Sequence, residues 1–413
     1  MKSPCNRKLS LWLIILLAGF PQLSETIYSP ALPAVTMSLQ TNNYLVQWTL
    51  SIYFFGFALG VLIWGQASDH IGRRFAMLLG IIVYLFGSLL CLLSPSIIYL
   101  LIARMLQAFG ASVGSVITQI MVREYFTATE RGRVFSSVAV ALSFAPAIGP
   151  VMGGVLSDYL GWRSNFLTLS VMALVILILS FCSLPETLNL NGNNKSKKIS
   201  LSQVFKRLIT DQHVIISACF ISITNAFTFC FYAEGPFIFI NHIGLSSRGY
   251  GLLGLFIAAA AILGGGAYRS LQKRWADEKI IYLGVLISFI GSVFMLSALA
   301  VHLVGKNNAL ISILAIMLPF MLISFGSFGL VIPIVLSKAL VQYQDCLGRA
   351  GALFGLMYYL ILSVLTWIMG WLHNHTLWPM PSYFLVLSFM MLIMFKISLK
   401  NREKRELCVL QTE

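Results

Sequence analysis

G-Q-A-S-D-H-I-G-R-R, Gly65 to Arg74, separates two long apolar runs, Tyr44 to Trp64 before it and Phe75 to Leu93 after it. Gly65 and Gly72 permit a tight helix-to-helix turn, since glycine reaches backbone conformations closed to other residues. Asp69 is placed to pair with Arg73, to face a neighbouring helix terminus, or to cap the turn. Each flanking run is long enough to cross ~30 Å of hydrocarbon at ~1.5 Å per residue. The stretch therefore reads as a polar turn between two membrane spans.

The whole chain repeats that arrangement. With 58% hydrophobic and 10% charged residues among 413, it has too little polar surface to cover a soluble globule of its size. Twelve charge-poor runs qualify as spans: residues 9–28, 44–64, 75–93, 97–120, 134–156, 166–184, 214–237, 251–267, 280–301, 310–334, 350–372 and 383–399. The expected fold is an all-α integral membrane protein of twelve transmembrane helices.

A net charge of +14 suggests nucleic acid until its distribution is followed. Only Arg163, Arg248 and Lys306 fall in loops on one side, and Arg104 lies inside a span; every other Lys and Arg of the 28 falls on the opposite side. Such asymmetry places both termini in the cytoplasm, and the basic tail Lys400 to Glu406 becomes a solvated end beside anionic lipid. Lys2, Arg7 and Lys8 ahead of an apolar run resemble a secretory signal, but no small-x-small cleavage site follows, so this reads as an uncleaved first helix. Cys5, Cys91, Cys182, Cys219, Cys230, Cys346 and Cys408 lack metal-ligand spacing. His373 and His375 form H-x-H with no carboxylate or thiol near them in sequence, and a polar loop is the simpler reading than a metal site. No metal and no nucleic acid partner is expected.

One long polar interruption, including N-L-N-G-N-N-K-S-K-K at Asn189 to Lys198, divides the spans six and six. The expected organisation is an N-terminal six-helix half over 1–185, a cytoplasmic linker over 186–212 and a C-terminal half over 213–413 with a short basic tail. Two half-bundles rocking around a central cavity require that layout.

The turn quoted above resembles the G-x-x-x-D-x-x-G-R-R/K signature of the major facilitator superfamily. The resemblance implies a twelve-helix fold and a cytoplasmic latch built from Gly65, Asp69, Gly72, Arg73 and Arg74, to which Arg123 and Glu124 at the end of span four add second-latch elements. The matching place in the second half, G-G-A-Y-R-S-L-Q-K-R, lacks the Asp. In span five, A-P-A-I-G-P-V-M-G-G from Ala145 to Gly154 reads as a kinked, closely packed helix. It resembles the antiporter motif of the superfamily's drug-exporting branch, with Gly149, Pro150, Gly153 and Gly154 in place and Ala145 where that motif begins with Gly. A plain packing seam is the alternative. Arg104 and Gln107 resemble the R-x-x-Q-G pattern of span four, with Ala108 replacing the glycine.

A finer likeness is to the bicyclomycin and chloramphenicol resistance subfamily of drug:proton antiporters, through T-L-S-I-Y-F-F-G-F-A-L-G at Thr49, I-M-V-R-E-Y-F at Ile120 and A-E-G-P-F-I-F-I at Ala233. Members usually carry T-D-M-Y-L-P-A-L-P in span one. Here Thr26 occupies the Asp position and Glu25 stands one place earlier, a turn of about 100° on a helix. Counting rises puts Glu25 about 24 Å up from the cytoplasmic start of span one and Arg104 about 10 Å down from the external start of span four, so both lie in the outer half. Glu234 is either a cation-attracting residue at the cavity rim or a solvated helix end. Trp48, Tyr53, Phe54, Phe231, Tyr232, Met357, Tyr358 and Tyr359 are candidates to line an adaptable cavity or to serve as plain packing.

These readings converge on a proton-coupled exporter of small amphipathic or cationic molecules in the bacterial cytoplasmic membrane. It needs no cofactor beyond the proton gradient and works as a monomer. Glu25, Thr26, Arg104, Gln107 and Glu234 are the expected coupling and cavity residues. An exporter of a native metabolite such as a siderophore or amino acid, and a nutrient importer of the same fold, are the alternatives. A membrane enzyme is disfavoured, because no Ser/His/Asp, paired-carboxylate or His/Cys constellation stands at membrane depth.

Overall fold

The computed structural model describes residues 9–188, 200–304 and 308–410, without the side chains of residues 128, 129, 140, 143, 145, 146 and 400–410. The basic N-terminus, Cys5, Asn189 to Lys198, Lys306 and the side chains of Ala145, Cys408 and the basic tail lie outside that description. Every regular element among the described residues is helical: α1 (Leu11–Thr26), α2 (Leu32–Ser38), α3 (Asn43–Ile71), α4 (Arg73–Leu92), α5 (Ile97–Tyr125), α6 (Ala128–Ser143), α7 (Ala145–Leu160) and α8 (Arg163–Ser183) make the first half. From residue 200 onward come α9 (Leu201–Thr210), within the linker, and then α10 (Gln212–Pro236), α11 (Ser247–Leu271), α12 (Asp277–Ala300), α13 (Ala309–Ser324), α14 (Ile332–Lys338), α15 (Leu347–Leu372) and α16 (Pro379–Leu410).

Several apparent breaks are bends within longer rods. Pro30 and Pro33 remove backbone donors, and the chain passes from α1 to α2 through a 3-10 turn at Ser29–Ala31. The first span thus runs to Ser38, beyond the expected end at Tyr28. The expected kink in span five is a break at Phe144, which divides it into α6 and α7. Eleven rods are long and apolar enough to cross a membrane, and α6 with α7 stands between the fourth and fifth of them.

Local chemistry sets the starts. Ser96 accepts from the backbone N–H of Tyr99 at α5, and Ser246 from that of Gly249 at α11. Thr127 with Glu130 and Ser200 with Gln203 form capping boxes at α6 and α9. The linker therefore contains a helix of its own. α9 buries Val204 and Leu208, and it is tied to the second half by Arg207 to Asp345 at 2.9 Å and by the Tyr343 hydroxyl to the Arg207 carbonyl at 3.2 Å.

Two long seams join the halves: α3 packs along α15, and α7 along α11. The α7–α11 seam is close because glycines meet backbone there. A methyl on Gly251 would strike the Pro150 carbonyl, and one on Gly154 would strike Ser247. The seams leave the bundle with a linker end, where the α3–α4 turn and α9 lie, and a far end, where α3 and α11 begin.

Candidate functional site

A cavity of about 1120 Å3 opens between the halves at the linker end. Its walls include Gln22 on α1, Phe57 and Gly65 on α3, Arg123 on α5, and Tyr358 and Tyr359 on α15. Pockets of ~300–1000 Å3 enclose drug-sized molecules, so this one has room for such a ligand with water.

Aromatic side chains roof the cavity. The Tyr359 ring lies 4.5 Å from Phe57 and 4.3 Å from Tyr358, while Phe54 contacts Phe229 at 4.5 Å. Of the candidate lining residues, Tyr358 and Tyr359 line the cavity; Tyr53 and Phe54 are fully buried above it. Trp48, Phe231 and Tyr232 belong to packing toward the far end, Trp48 against Gly370 and Phe231 on Phe320 at 4.2 Å.

Glu25 lies one turn beyond Gln22, is 2% exposed, and has one carboxylate oxygen without a hydrogen-bond partner. Arg104 on α5 is wholly buried in an aromatic cage, its guanidinium carbon 4.2 Å from the Tyr53 ring centre and 5.2 Å from that of Tyr28. One terminal nitrogen donates to Gln107 Oε1 at 2.6 Å and reaches the Ser24 carbonyl at 3.5 Å; its Nε and other terminal nitrogen have no partner. Gln107 donates in turn to Ser88 Oγ at 2.8 Å. Span one and span four therefore meet at Ser24, yet no Glu25–Arg104 ion pair is formed among the described residues. The hydroxyls of Ser24, Tyr28, Tyr53 and Tyr84 are also buried without a well-formed hydrogen bond, those of Tyr53 and Tyr84 both facing Ser24. This many unsatisfied polar groups in one place is the arrangement water or a moving proton would use.

Thr26 points elsewhere. Its hydroxyl donates to the Gln22 carbonyl at 3.1 Å, and a methyl on Gly149 would overlap it. Gly153 meets the Ile27 carbonyl in the same way, so Gly149 and Gly153 seat α7 on α1, while Pro150 and Gly154 seat it on α11. The four glycine and proline positions form a three-helix crossing at the seam.

The latch residues gather at the linker end. Gly72 has φ +92°, a region that favours glycine. Arg73 is 6% exposed; it meets Asp69 at 2.6 Å, Glu124 at 2.9 Å and Ser68 Oγ at 2.7 Å. Glu124 thus joins the same cluster and makes no second one. Arg74 donates to the Phe181 carbonyl at 2.8 Å. Among the described residues Arg123 and Gly65 make no bond to the cluster but line the same cavity as Asp69, Arg73 and Glu124. Sequence reasoning missed Glu186, whose carboxylate accepts the backbone N–H groups of Arg73 at 2.8 Å and Arg74 at 3.0 Å, capping α4 from the end of the sixth span. Nothing in L-P-E-T marks that contact.

Glu234 is neither on the cavity rim nor solvated. It is 1% exposed at the far end, hydrogen-bonded to Gln47 Nε2 of α3 and 2.9 Å from His373 Nδ1. His373 Nε2 lies 3.0 Å from Asn43 Nδ2. The H-x-H stretch supplies this partner from a loop remote in sequence, so only the fold brings histidine and carboxylate together. No cluster of three or more His, Cys, Asp or Glu suited to a metal occurs among the described residues.

A bundle of membrane-length helices in two halves, sealed at one end and open at the other around a drug-sized cavity, is the form of a secondary transporter. The chain belongs to the Major Facilitator Superfamily, whose family model matches residues 14–366. It is a multi-pass membrane transporter of small substrates and not an enzyme. It is 36% identical over 387 residues to a protein of Rickettsia bellii described as an uncharacterized transporter, covering 92% of this chain and 94% of that one. A chloramphenicol resistance protein of Pseudomonas aeruginosa is 26% identical over 380 residues, covering 91% and 88%. The crystal structure of a D-xylose-proton symporter matches with TM-score 0.72 at 15% identity, over 92% of this chain and 96% of that one, and this likeness concerns the fold.

Proposed function

We propose that this chain is a proton-coupled exporter of small amphipathic or cationic molecules, with twelve spans and both termini in the cytoplasm of a bacterial inner membrane. The Lys and Arg distribution favours that orientation, and it makes the cavity open to the cytoplasm. The drug-resistance relatives and the Gly149–Gly154 motif favour export. The same relatives leave a native metabolite as the substrate of the same machinery.

The observation that carries the coupling is the buried carboxylate of Glu25, one oxygen of which has no partner, near the two unpaired nitrogens of Arg104. Removal from water favours the protonated form of a carboxyl group, and a nearby cation favours the ionised form. Rocking of the halves changes the burial of Glu25, because Tyr358 and Tyr359 beside it belong to the second half, while a shift of α5 against α1 within the first half changes its distance to Arg104. In this reading the proton is taken up from outside, and Arg104 approaches Glu25 as the proton leaves inward. Substrate then binds the cavity and departs when the far end opens.

Everted vesicles energised by respiration test this. Lipophilic cations, chloramphenicol-like neutral compounds and bicyclomycin are added while a ΔpH dye is followed, with Glu25→Gln in parallel. Proton release driven by one of these classes in the parent and absent in the variant is the expected result. A Glu25→Gln protein that maintains the parent's substrate gradient would overturn the coupling role.

A further inference from the structure

The two seams between the halves differ in length. The α3–α15 seam is close from end to end: a methyl on Gly370 would strike Trp48, one on Gly355 would strike Val61, and one on Gly65 would stand 3.5 Å from Ala352. Within it the Ser363 hydroxyl donates to the Ser51 carbonyl at 2.8 Å. The other seam is close along α7, where Pro150 and Gly154 meet Ser247, Arg248 and Gly251 of α11, but below the break at Phe144 the helix α6 barely meets α11. There each helix leans on its own half. Leu142 of α6 lies against Gly19 of α1, and Gly264 of α11 lies against Phe325 and Gly329 in the π-helical turn before α14. A methyl on Gly265 or Gly266 would meet nothing within 4 Å.

The cavity wall follows this parting. α6 lines it with Phe135, Ala139 and Leu142, and α14 with Leu336 and Leu340, whereas α11 contributes no residue to the wall among those described. Ala139 is exposed, and Leu336 is 56% exposed. α6 is 16 residues long, about 24 Å, which exceeds one leaflet's share of a ~30 Å hydrocarbon core. Beside the gap the apolar surface continues through Phe144, Ile262 and Leu263, all exposed. A contiguous apolar face of this kind on a membrane-spanning bundle is one that lipid covers.

We infer that the gap between α6 and α14 below Phe144 is a lateral portal, through which amphipathic molecules dissolved in the inner leaflet enter the cavity without crossing water. The inference rests on the exporter reading above for its leaflet and its direction. It narrows the substrate class to molecules whose apolar body partitions into lipid. Such a body has already left water in the leaflet, and an apolar path along Ala139 and Leu142 brings it to the Phe57 and Tyr359 rings with no second desolvation. A strongly hydrated molecule has only the linker-end mouth, where Asp69, Arg73, Arg123 and Glu124 stand. The closed α3–α15 seam offers no such path on the opposite side, so the bundle has one lipid-facing entrance.

Photo-cross-linking from lipid reads the portal. The probe is a phosphatidylcholine with a diazirine at the end of one acyl chain, in nanodiscs holding the full-length protein, and adducts are located by mass spectrometry. A tethered chain cannot arrive through the aqueous mouth. Adducts on Ala139, Leu142 and Tyr359 are expected, besides those on outward positions such as Val171 of α8, which is exposed. Ala139→Trp, which fills the gap, is expected to lose the Tyr359 adducts and keep those on Val171. If that variant loses the Val171 adducts as well, it has misfolded, and Leu336→Trp applies the same block from α14. Parent adducts confined to outward faces, or Tyr359 adducts undiminished in a folded blocked variant, would overturn the portal. Both leaflets carry the probe, so this readout is indifferent to orientation and coupling. A protein that shows no antiport in vesicles yet takes adducts on Tyr359 keeps the portal and loses the exporter reading.

Discussion

Arg73→Ala is the substitution whose cost the structure lets one work out most directly. Arg73 is buried, and its guanidinium holds Glu124 through Nε at 3.1 Å and a terminal nitrogen at 2.9 Å, with Asp69 and Ser68 on the other terminal nitrogen. A hydrogen bond to a charged group contributes ~1.5–3 kcal/mol, and the two-point contact with Glu124, whose side chain is 27% exposed, belongs near the upper end. Asp69 is 41% exposed, and solvent reduces its pair to ~0.5 kcal/mol. The expected loss is about 3 kcal/mol, or roughly 100-fold in a local opening equilibrium at 1.4 kcal/mol per tenfold. Hydrogen exchange reads it at the amides of Arg73 and Arg74, because Glu186 holds both and the cluster fixes the turn they belong to. Protection of these amides should fall by about two orders of magnitude, while amides deep in α12, remote from the latch, stay unchanged. Asp69→Asn should lower it by less than about threefold. If Arg73→Ala leaves the protection of the turn within threefold of the parent, the buried cluster does not hold the turn and the latch reading fails.

Three other outcomes follow from packing and charge. Gly153→Ala places a methyl against the Ile27 carbonyl, so α7 must move off α1; a loss of about 1–3 kcal/mol and impaired transport are expected in thermal melts and vesicle assays. Gly265→Ala, on the same bundle but with nothing near its Cβ position, should instead raise stability by up to about 1 kcal/mol through helix propensity. Glu130, exposed in the α6 capping box, is held below the usual carboxylate range by hydrogen bonds from the Thr127 side chain and backbone N–H. Since its folded form is the more acidic, its contribution is present above the ordinary carboxylate range and lost as pH falls through the lowered value. Exchange at the start of α6 should accelerate at that acid pH, and Glu130→Gln should remove the pH dependence.

The fold was legible because a membrane imposes a length rule that single residues obey: apolar runs mark the rods and Gly72 the turn. Contacts within one motif were legible for the same reason, as with Asp69 and Arg73 four places apart. Contacts that depend on two spans meeting were not. Glu186 reaches Arg73 across more than a hundred residues, and His373 reaches Glu234 across a similar gap. Its depth, counted by helical rise from Val214, made Glu234 look like a rim or an end, and only its contact with Gln47 of α3 and His373 shows it to be a joint. The aromatic candidates divided by depth, Tyr358 and Tyr359 facing the cavity and Trp48 and Phe231 packed toward the far end; composition carries no depth.

The one-residue displacement of the span-one acid has a physical consequence at this crossing. At position 26 a side chain lies against Gly149, where the helices leave room for little more than the threonine hydroxyl. A carboxylate there would face the backbone of α7 inside a seam that must stay closely packed. One place earlier, about 100° around the helix, Glu25 turns from the seam toward the Arg104 cage and the Tyr358–Tyr359 roof, where unpaired donors stand and where both halves contribute. Exchanging the two residues, Glu25→Thr with Thr26→Glu, tests whether direction matters as much as charge. The exchange keeps composition and net charge, yet it should push α7 from α1, lower thermal stability, and abolish proton release in vesicles. Antiport preserved by the exchanged protein would mean that the acid is read by its depth in the membrane and not by the side it faces.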